Sequence, residues 1–423
     1  MTGRTADELH IAIAGAGMGG LAAAAALRKA GIDVTVYEQA RQFTRLGAGI
    51  QIGCNAMHVL RGLGLEDRLR AETFYPRSWN NRDARTGEVL FDMAFGAAAE
   101  AKYGAPYLLA HRGDLHAALA SAVPAGCLRL DHRLEGFEQA AGRVKLAFAN
   151  GERAEADALI GADGVHSVVR TALFGDDEPQ FTGRIAYRTV YPAKLLGGFD
   201  MGDCTKWWGE DRHIVMYPVK PDRSEVYFVT SQPEPGFELE SWSATGDVEV
   251  LRAAFDGFHK DVQRVLAACP AVHKRPLVDR EPFARWVEGN VALLGDSCHP
   301  MTPYMAQGAA MAIEDAAVLA RCLAESGATA SPPRSSATRR TAGSARRACS
   351  SPRARTPGAR ASPTPTGCTA TTPGPRRFPE RQKKSAAADP GGNRTRGPPI
   401  RRPEVGWTAI QGDQHEMRRP QRS

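Results

Sequence analysis

The chain has 423 residues, enough for two or three domains with sizeable cores, so a small scaffold held together by disulfides or a metal is excluded. Its 54 basic and 47 acidic residues give +7 overall, but residues 326–423 carry 20 basic against 5 acidic side chains, which leaves residues 1–325 net acidic by 8. The basic character belongs to the C-terminal stretch alone.

The first nine residues are polar, and the apolar run His10–Ala14 is short and flows into glycines. Neither a signal peptide nor a spanning helix is read there, and a cytoplasmic protein without membrane contact is expected. The eight cysteines form no C-x-x-C pair and no metal-ligand spacing, which points to reduced thiols and no metal site.

His10–Ala14 has the pattern of a buried strand, and Gly15, Gly17 and Gly20 then fit G-x-G-x-x-G before an Ala- and Leu-rich helix ending near Ala30. Such glycines permit a tight turn, close approach of a pyrophosphate to backbone N–H groups, and close packing of a helix whose N-terminus faces the phosphates. Gly31 caps that helix, and Asp33–Tyr37 forms a second strand ending at Glu38, 23 residues after Gly15. A carboxylate there accepts hydrogen bonds from ribose hydroxyls. Strand, turn, helix, strand and acid in this order predict a dinucleotide-binding unit, the start of a layered α/β domain reaching about Phe174.

Further along, Ala158–Arg170 repeats a strand, a turn at Asp163-Gly164 and a helix start; on the residues alone this is an ordinary turn. From about Pro179 to His273 the pattern becomes β-rich, in Arg184–Tyr191, Arg212–Val219 and Glu225–Thr230, which suggests a sheet domain with a small-molecule site. Alternation in Arg212–Val219 puts His213, Val215 and Tyr217 on one face and Ile214 and Met216 on the other. The short Gly209–Asp211 link predicts a hairpin that brings Trp207 or Trp208 alongside as an aromatic wall. A phenol-like substrate stacked there can lose its proton to His213 or Tyr217; the plainer reading is a hydrogen-bonded pair lining a sheet. Cys204 either lines this pocket or serves as a small buried hydrophobe.

From Val291 the α/β character returns. Asp296 stands at the carboxyl end of a buried strand, where open sheets bind ligands. Pro300 and Pro303 stiffen the next loop, and Gly308 opens a helix through Met311, Ala312, Asp315 and Leu319 whose positive end points to whatever Asp296 holds. The first domain is therefore expected to be discontinuous, residues 1–178 and 274–325 flanking a sheet domain at 179–273. Beyond Glu325, Phe378 is the one large apolar side chain between Leu323 and Ile400, so residues 326–423 are expected to be disordered. Their Arg, Pro, Ala and Gly content fits an out-of-frame translation of a GC-rich gene better than a natural nucleic-acid-binding arm.

The three elements in this order resemble the FAD-dependent aromatic-ring monooxygenases of the p-hydroxybenzoate and salicylate hydroxylase type, over about Ile11 to Leu323. The resemblance implies a Rossmann-like FAD-binding domain with an inserted β-sheet substrate domain. It assigns Gly15, Gly17, Gly20, Glu38 and Gln39 to the ADP half of FAD, Asp163 to the segment serving FAD and the nicotinamide donor, and Asp296 to the ribityl chain. Arg112 looks like the family's flavin-contacting arginine, and Gln51, Gly308 and Ala309 complete the cradle. Within the family, Phe43–Ile50, Cys204–Tyr217 and Met305–Asp315 are similar to the branch acting on 6-hydroxynicotinate. This chain has Gln51 and Tyr304 where that branch carries histidine, and neither is as good a proton acceptor as imidazole.

The implied activity uses NADH, less readily NADPH, to reduce FAD, which then activates O2 for attack on an electron-rich ring. His213, Tyr217, Gln51 and Tyr304 are the implied catalytic group; Cys204, Trp208, His213, Tyr217 and Pro303 form the implied substrate pocket. The expected reaction is decarboxylative hydroxylation of 6-hydroxynicotinate to 2,5-dihydroxypyridine, with salicylate hydroxylation as the nearest alternative. Two other classes stand against it: a flavoprotein reductase of lipid-like substrates, marked by an apolar tunnel, and an inactive flavin binder whose tail holds nucleic acid, marked by salt-sensitive DNA binding.

Overall fold

Short apolar strands joined by glycine turns give a six-stranded, mainly parallel sheet at the heart of the molecule. Its order is Val287–Glu288, Val291–Leu293, Ala158–Gly161, His10–Ala14, Asp33–Tyr37, Leu128–Arg129, and only the first of these runs antiparallel to its neighbour. The computed structural model describes residues 9–45, 47–234 and 245–328, all within one unit spanning Met1–Arg355. The remainder of the basic stretch, for which disorder is expected, lies outside the described residues.

One face of this sheet carries the helices Met18–Lys29, Arg112–Ser121 and Gly308–Ala328, packed through Ile11, Ile13, Leu21, Leu27, Val34 and Ile313. The run Ala22–Ala25 keeps the first helix thin enough to lie close against the last: a Cβ on Gly19 would sit 2.5 Å from Leu294 Cδ2 and 3.1 Å from Ala312 Cβ. The other face is covered by a three-stranded antiparallel sheet, Leu134–Ala140, Arg143–Phe148 and Arg153–Ala156. The last helix reaches Ala328, three residues past the boundary drawn from composition.

The second sheet has eight strands, in the order Thr245–Gly246, Val272–Asp279, Gln180–Pro192, Glu225–Pro233, His213–Pro218, Thr205–Trp208, Ser78–Asp83, Val89–Ala94. The predicted hairpin is present, with Trp208 opposite His213. Ile214, Met216, Trp207 and Phe228 face away from the first sheet and bury against the helices Val248–Ala254 and Lys260–Ala268. The opposite face, carrying His213, Val215 and Tyr217, looks into a cavity. Residues 78–94 belong to this sheet although they come early in the chain.

Among the described residues, no helix is long and apolar enough to cross a membrane.

Candidate active site

A cavity of about 550 Å³ runs from the glycine turn to the inner face of the eight-stranded sheet. It is lined on one side by Gly17, Met18, Gly164, Asp296, Gly308 and Ala309, and on the other by His213, Val215, Tyr217, Tyr227 and Ser231.

At the turn, Gly15 has φ +101°, and a Cβ there would stand 2.5 Å from the Ala162 carbonyl oxygen. A Cβ on Gly20 would stand 2.0 Å from the Gly15 oxygen. At Gly17 the space is open instead, and the helix that starts there has no side-chain cap. Its first N–H groups thus face the cavity unsatisfied, an arrangement suited to a phosphate. Glu38 accepts from the backbone N–H of Ala16 (2.7 Å) and of Ala40 (2.9 Å), so its carboxylate fixes the turn as well as retaining lone pairs for a ribose. Gln39 is exposed beside it.

Asp296 follows the strand Val291–Leu293 in a single 3-10 turn, Gly295–Ser297. Ser297 Oγ donates to the Gly161 oxygen (2.5 Å), and Asp315 accepts from Gly295 N–H (3.1 Å) and pairs with His299 Nε2 (2.6 Å). The loop is thereby tied to the neighbouring strand and to the last helix, leaving the Asp296 carboxylate open to the cavity. Its surroundings of protein push its proton affinity up, opposed by His299 and Arg112. Cys298, His299 and Asp315 bring ligand-type atoms within 4.8 Å of one another, in hydrogen bonds that hold this loop.

Glu38 and Asp296 stand past the carboxyl ends of strands three positions apart in one sheet. At about 4.8 Å per strand this is roughly 14 Å, a span suited to an extended dinucleotide. The open N-terminus of one helix, the start of a second at Gly308, and carboxylates at both ends fit FAD. Asp163 does not line the cavity: its carboxylate accepts from Ser167 Oγ (2.5 Å) and Val169 N–H (3.1 Å), fixing the turn from which Ala162 and Gly164 reach the cavity.

On the sheet side, the strand register sets out the wall. One row reads Arg275, Ala186, Ser231, His213, Trp208, and the next Arg188, Val229, Val215, Lys206. Burial, then Lys206 and Arg184, hold the His213 imidazole down at about 3, so it stands neutral with a lone pair to offer. Tyr217 is fully enclosed, which keeps its phenol protonated and a hydrogen-bond donor. Tyr304 lies across the cavity, its ring 5.8 Å from that of His213, and Pro303 lies beside it. Gln51 accepts from Tyr107 Oη and lines the same space.

Two of the expected pocket residues stand one layer back. Trp208 donates to Asn81 Oδ1 (2.9 Å) and leans on His213 at 5.4 Å. Cys204 is buried in an apolar cluster with Phe74, Val215 and Tyr217, which pushes its thiol well up and makes it inert.

The cavity also contains cations that sequence reasoning passed over. The side chains of Arg188 and Lys206 line it without a hydrogen bond or ion pair to any described residue, and Arg275 lines it with an unpartnered Nε; Arg112, expected from the sequence, lines it as well. Alternation with Ala186 and Val190 carried the signal for Arg188, and a lone lysine between Thr205 and two tryptophans carried it for Lys206.

Comparison with known proteins agrees with this geometry. The family described as "FAD binding domain" matches residues 8–335. The chain is 46% identical to 6-hydroxynicotinate 3-monooxygenase of Bordetella bronchiseptica over 322 residues, which is 75% of this chain and 83% of the relative. It is 44% identical to the protein of that name from Pseudomonas fluorescens, with the same two shares. Klebsiella pneumoniae HpxO complexed with FAD and uric acid superposes with a TM-score of 0.68 at 28% identity, covering 81% of this chain and 88% of that one. The chain belongs to the FAD-dependent aromatic-ring monooxygenases.

Proposed function

We propose that this protein hydroxylates 6-hydroxynicotinate at the carbon bearing the carboxylate, giving 2,5-dihydroxypyridine and CO2 with NADH as the electron donor. NADH supplies two electrons, one oxygen atom of O2 enters the ring, and the other leaves as water. The observation that carries the reading is that a single cavity joins the dinucleotide cradle to a wall presenting a neutral imidazole, two tyrosines and an amide.

In this reading residues 1–178 and 274–325 serve FAD, and residues 179–273 the substrate. Gly15, Gly17, Gly20, Glu38 and Gln39 surround the ADP half; Asp296, Arg112, Gly308 and Ala309 surround the flavin half, with Asp163 supporting the turn between them. Bound FAD supplies the reduced ring that activates O2. The protein's own contribution is to orient the aromatic acid, accept its hydroxyl proton and keep out water. His213 offers its lone pair to the ring hydroxyl, which raises electron density at the attacked carbon para to it. Tyr217 donates a hydrogen bond, and Gln51 and Tyr304 complete the ring's edge with an amide and a hydroxyl that can each donate or accept one. Trp208 holds the imidazole in place, and Pro303 stiffens the loop opposite.

Gln51 and Tyr304 support a second reading, another hydroxy-aromatic acid such as salicylate. The test is to measure NADH oxidation with 6-hydroxynicotinate and with salicylate while quantifying ring product and CO2. Product formed in step with NADH for 6-hydroxynicotinate supports the proposal; salicylate alone doing so supports the second reading; neither doing so overturns both.

A further inference from the structure

The cavity wall holds a cation that flavin binding does not account for. Lys206 lies in the strand Thr205–Trp208 and is 4% exposed, yet its side chain lines the cavity. No group among the described residues hydrogen-bonds or ion-pairs with it; its close contact is with the Trp208 ring, whose centroid is 3.7 Å from Nζ. The register sets it between Val215 and Asn81, with Val229 beyond Val215, so its own row supplies no negative charge. His213, diagonally adjacent, is neutral. A buried ammonium without a counter-ion is costly, and a wall built around one is electrostatically complete only when an anion enters.

Building on the function proposed above, we propose that Lys206 is the counter-ion for an anionic oxygen of the bound aromatic acid, either its carboxylate or its ring oxyanion. The carboxylate arrives ionised, and the ring oxygen gains negative charge as its hydrogen bond to the His213 lone pair strengthens. Either would meet an ammonium with three N–H donors and no competing acceptor. Arg188 does not duplicate this role: it lies three strands away, roughly 14 Å along the row, near Arg112 at the Asp296 end.

The test uses FAD-loaded protein without NADH, so that binding is read apart from turnover. Wild type, Lys206→Met and Lys206→Arg are titrated with 6-hydroxynicotinate, nicotinate and 6-hydroxynicotinamide, following the flavin spectrum and heat of binding. Lys206→Met is expected to weaken 6-hydroxynicotinate by about tenfold or more, with Lys206→Arg keeping part of the affinity. A loss shared by nicotinate and spared by the amide identifies the carboxylate; the reverse identifies the ring oxyanion. Should Lys206→Met lose its flavin, Lys206→Gln serves in its place. Binding of all three compounds within about twofold of wild type by a flavin-loaded, uncharged variant overturns the proposal. Wild type binding none of the three would instead overturn the substrate reading on which it rests.

Discussion

Replacing Lys206 by methionine should make the substrate-free protein more stable near neutral pH. Burial, slightly opposed by Cys204, lowers the ammonium from 10.5 to about 8. At roughly 1.4 kcal/mol per tenfold, that difference corresponds to about 3 kcal/mol against the charged side chain in the folded state. The cation–π contact with Trp208 and screening by cavity water together return about 1 kcal/mol, leaving about 2 kcal/mol. Methionine keeps the apolar stem and removes the charge. The folded protein holds fewer protons at this site than the unfolded chain between pH 8 and 10.5, so wild type gains stability as pH rises through that window. Urea denaturation of FAD-loaded wild type and Lys206→Met at a series of pH values reads the difference, from which the titrations of all other groups cancel. The expected result is an advantage of about 2 kcal/mol for the variant at pH 7, shrinking towards zero by about pH 10.5. A variant less stable than wild type at pH 7, or a difference independent of pH, would refute the reasoning.

Three further outcomes follow from the same geometry. Gly20→Ala places a Cβ 2.0 Å from the Gly15 oxygen, so the turn must open; the purified variant should carry little flavin, as read from its absorbance, and a full complement would contradict the cradle. His213→Ala should lower kcat by about a hundredfold while NADH oxidation without product increases, because the acceptor proposed for the ring hydroxyl is gone; unchanged coupling would remove His213 from the proposed mechanism. Arg45 bonds both Asp114 (2.8 Å) and Glu225 (2.6 Å), fastening the loop before Gly49 to a helix and to the eight-stranded sheet. Arg45→Ala should cost about 1 kcal/mol at neutral pH and low salt. Against the opposing effect of burial, Arg45 holds both carboxyls below their ordinary values, helped at Asp114 by Lys220, so the bridge contributes above about pH 4 and is lost as pH falls through their lowered values; equal acid sensitivity of variant and wild type would contradict this.

The glycine turn, the strand after it and Glu38 were legible because their geometry is local: Gly15 and Gly20 answer to contacts within the turn or one strand away. His213, Val215 and Tyr217 were legible through alternation alone, since one face of that strand meets the cavity and the other the apolar cluster of Ile214 and Met216. The strands Ser78–Asp83 and Val89–Ala94 were not. In the outer one Val89, Leu90, Phe91 and Met93 are all exposed, so no alternation marks a buried face. Ser78–Asp83 joins the sheet through a parallel pairing with Thr205–Trp208, 125 residues downstream at Asn80 and Thr205. Lys206 escaped notice for a related reason: a lysine in a short strand ordinarily reaches solvent, and its burial arises only when the strands carrying Val215 and Asn81 flank it and the Trp208 ring lies against its ammonium. The hairpin brought Trp208 near the site and the resemblance brought Cys204, but whether each touches the cavity depends on side-chain direction across several strands, which spacing does not encode.

The most direct test of the account is the flavin content of the purified chain, measured by absorbance and by release of FAD on denaturation. One FAD per chain, falling sharply in Asp296→Ala while the fold is retained, is the predicted result. A well-folded, colourless protein that takes up no added FAD would contradict it.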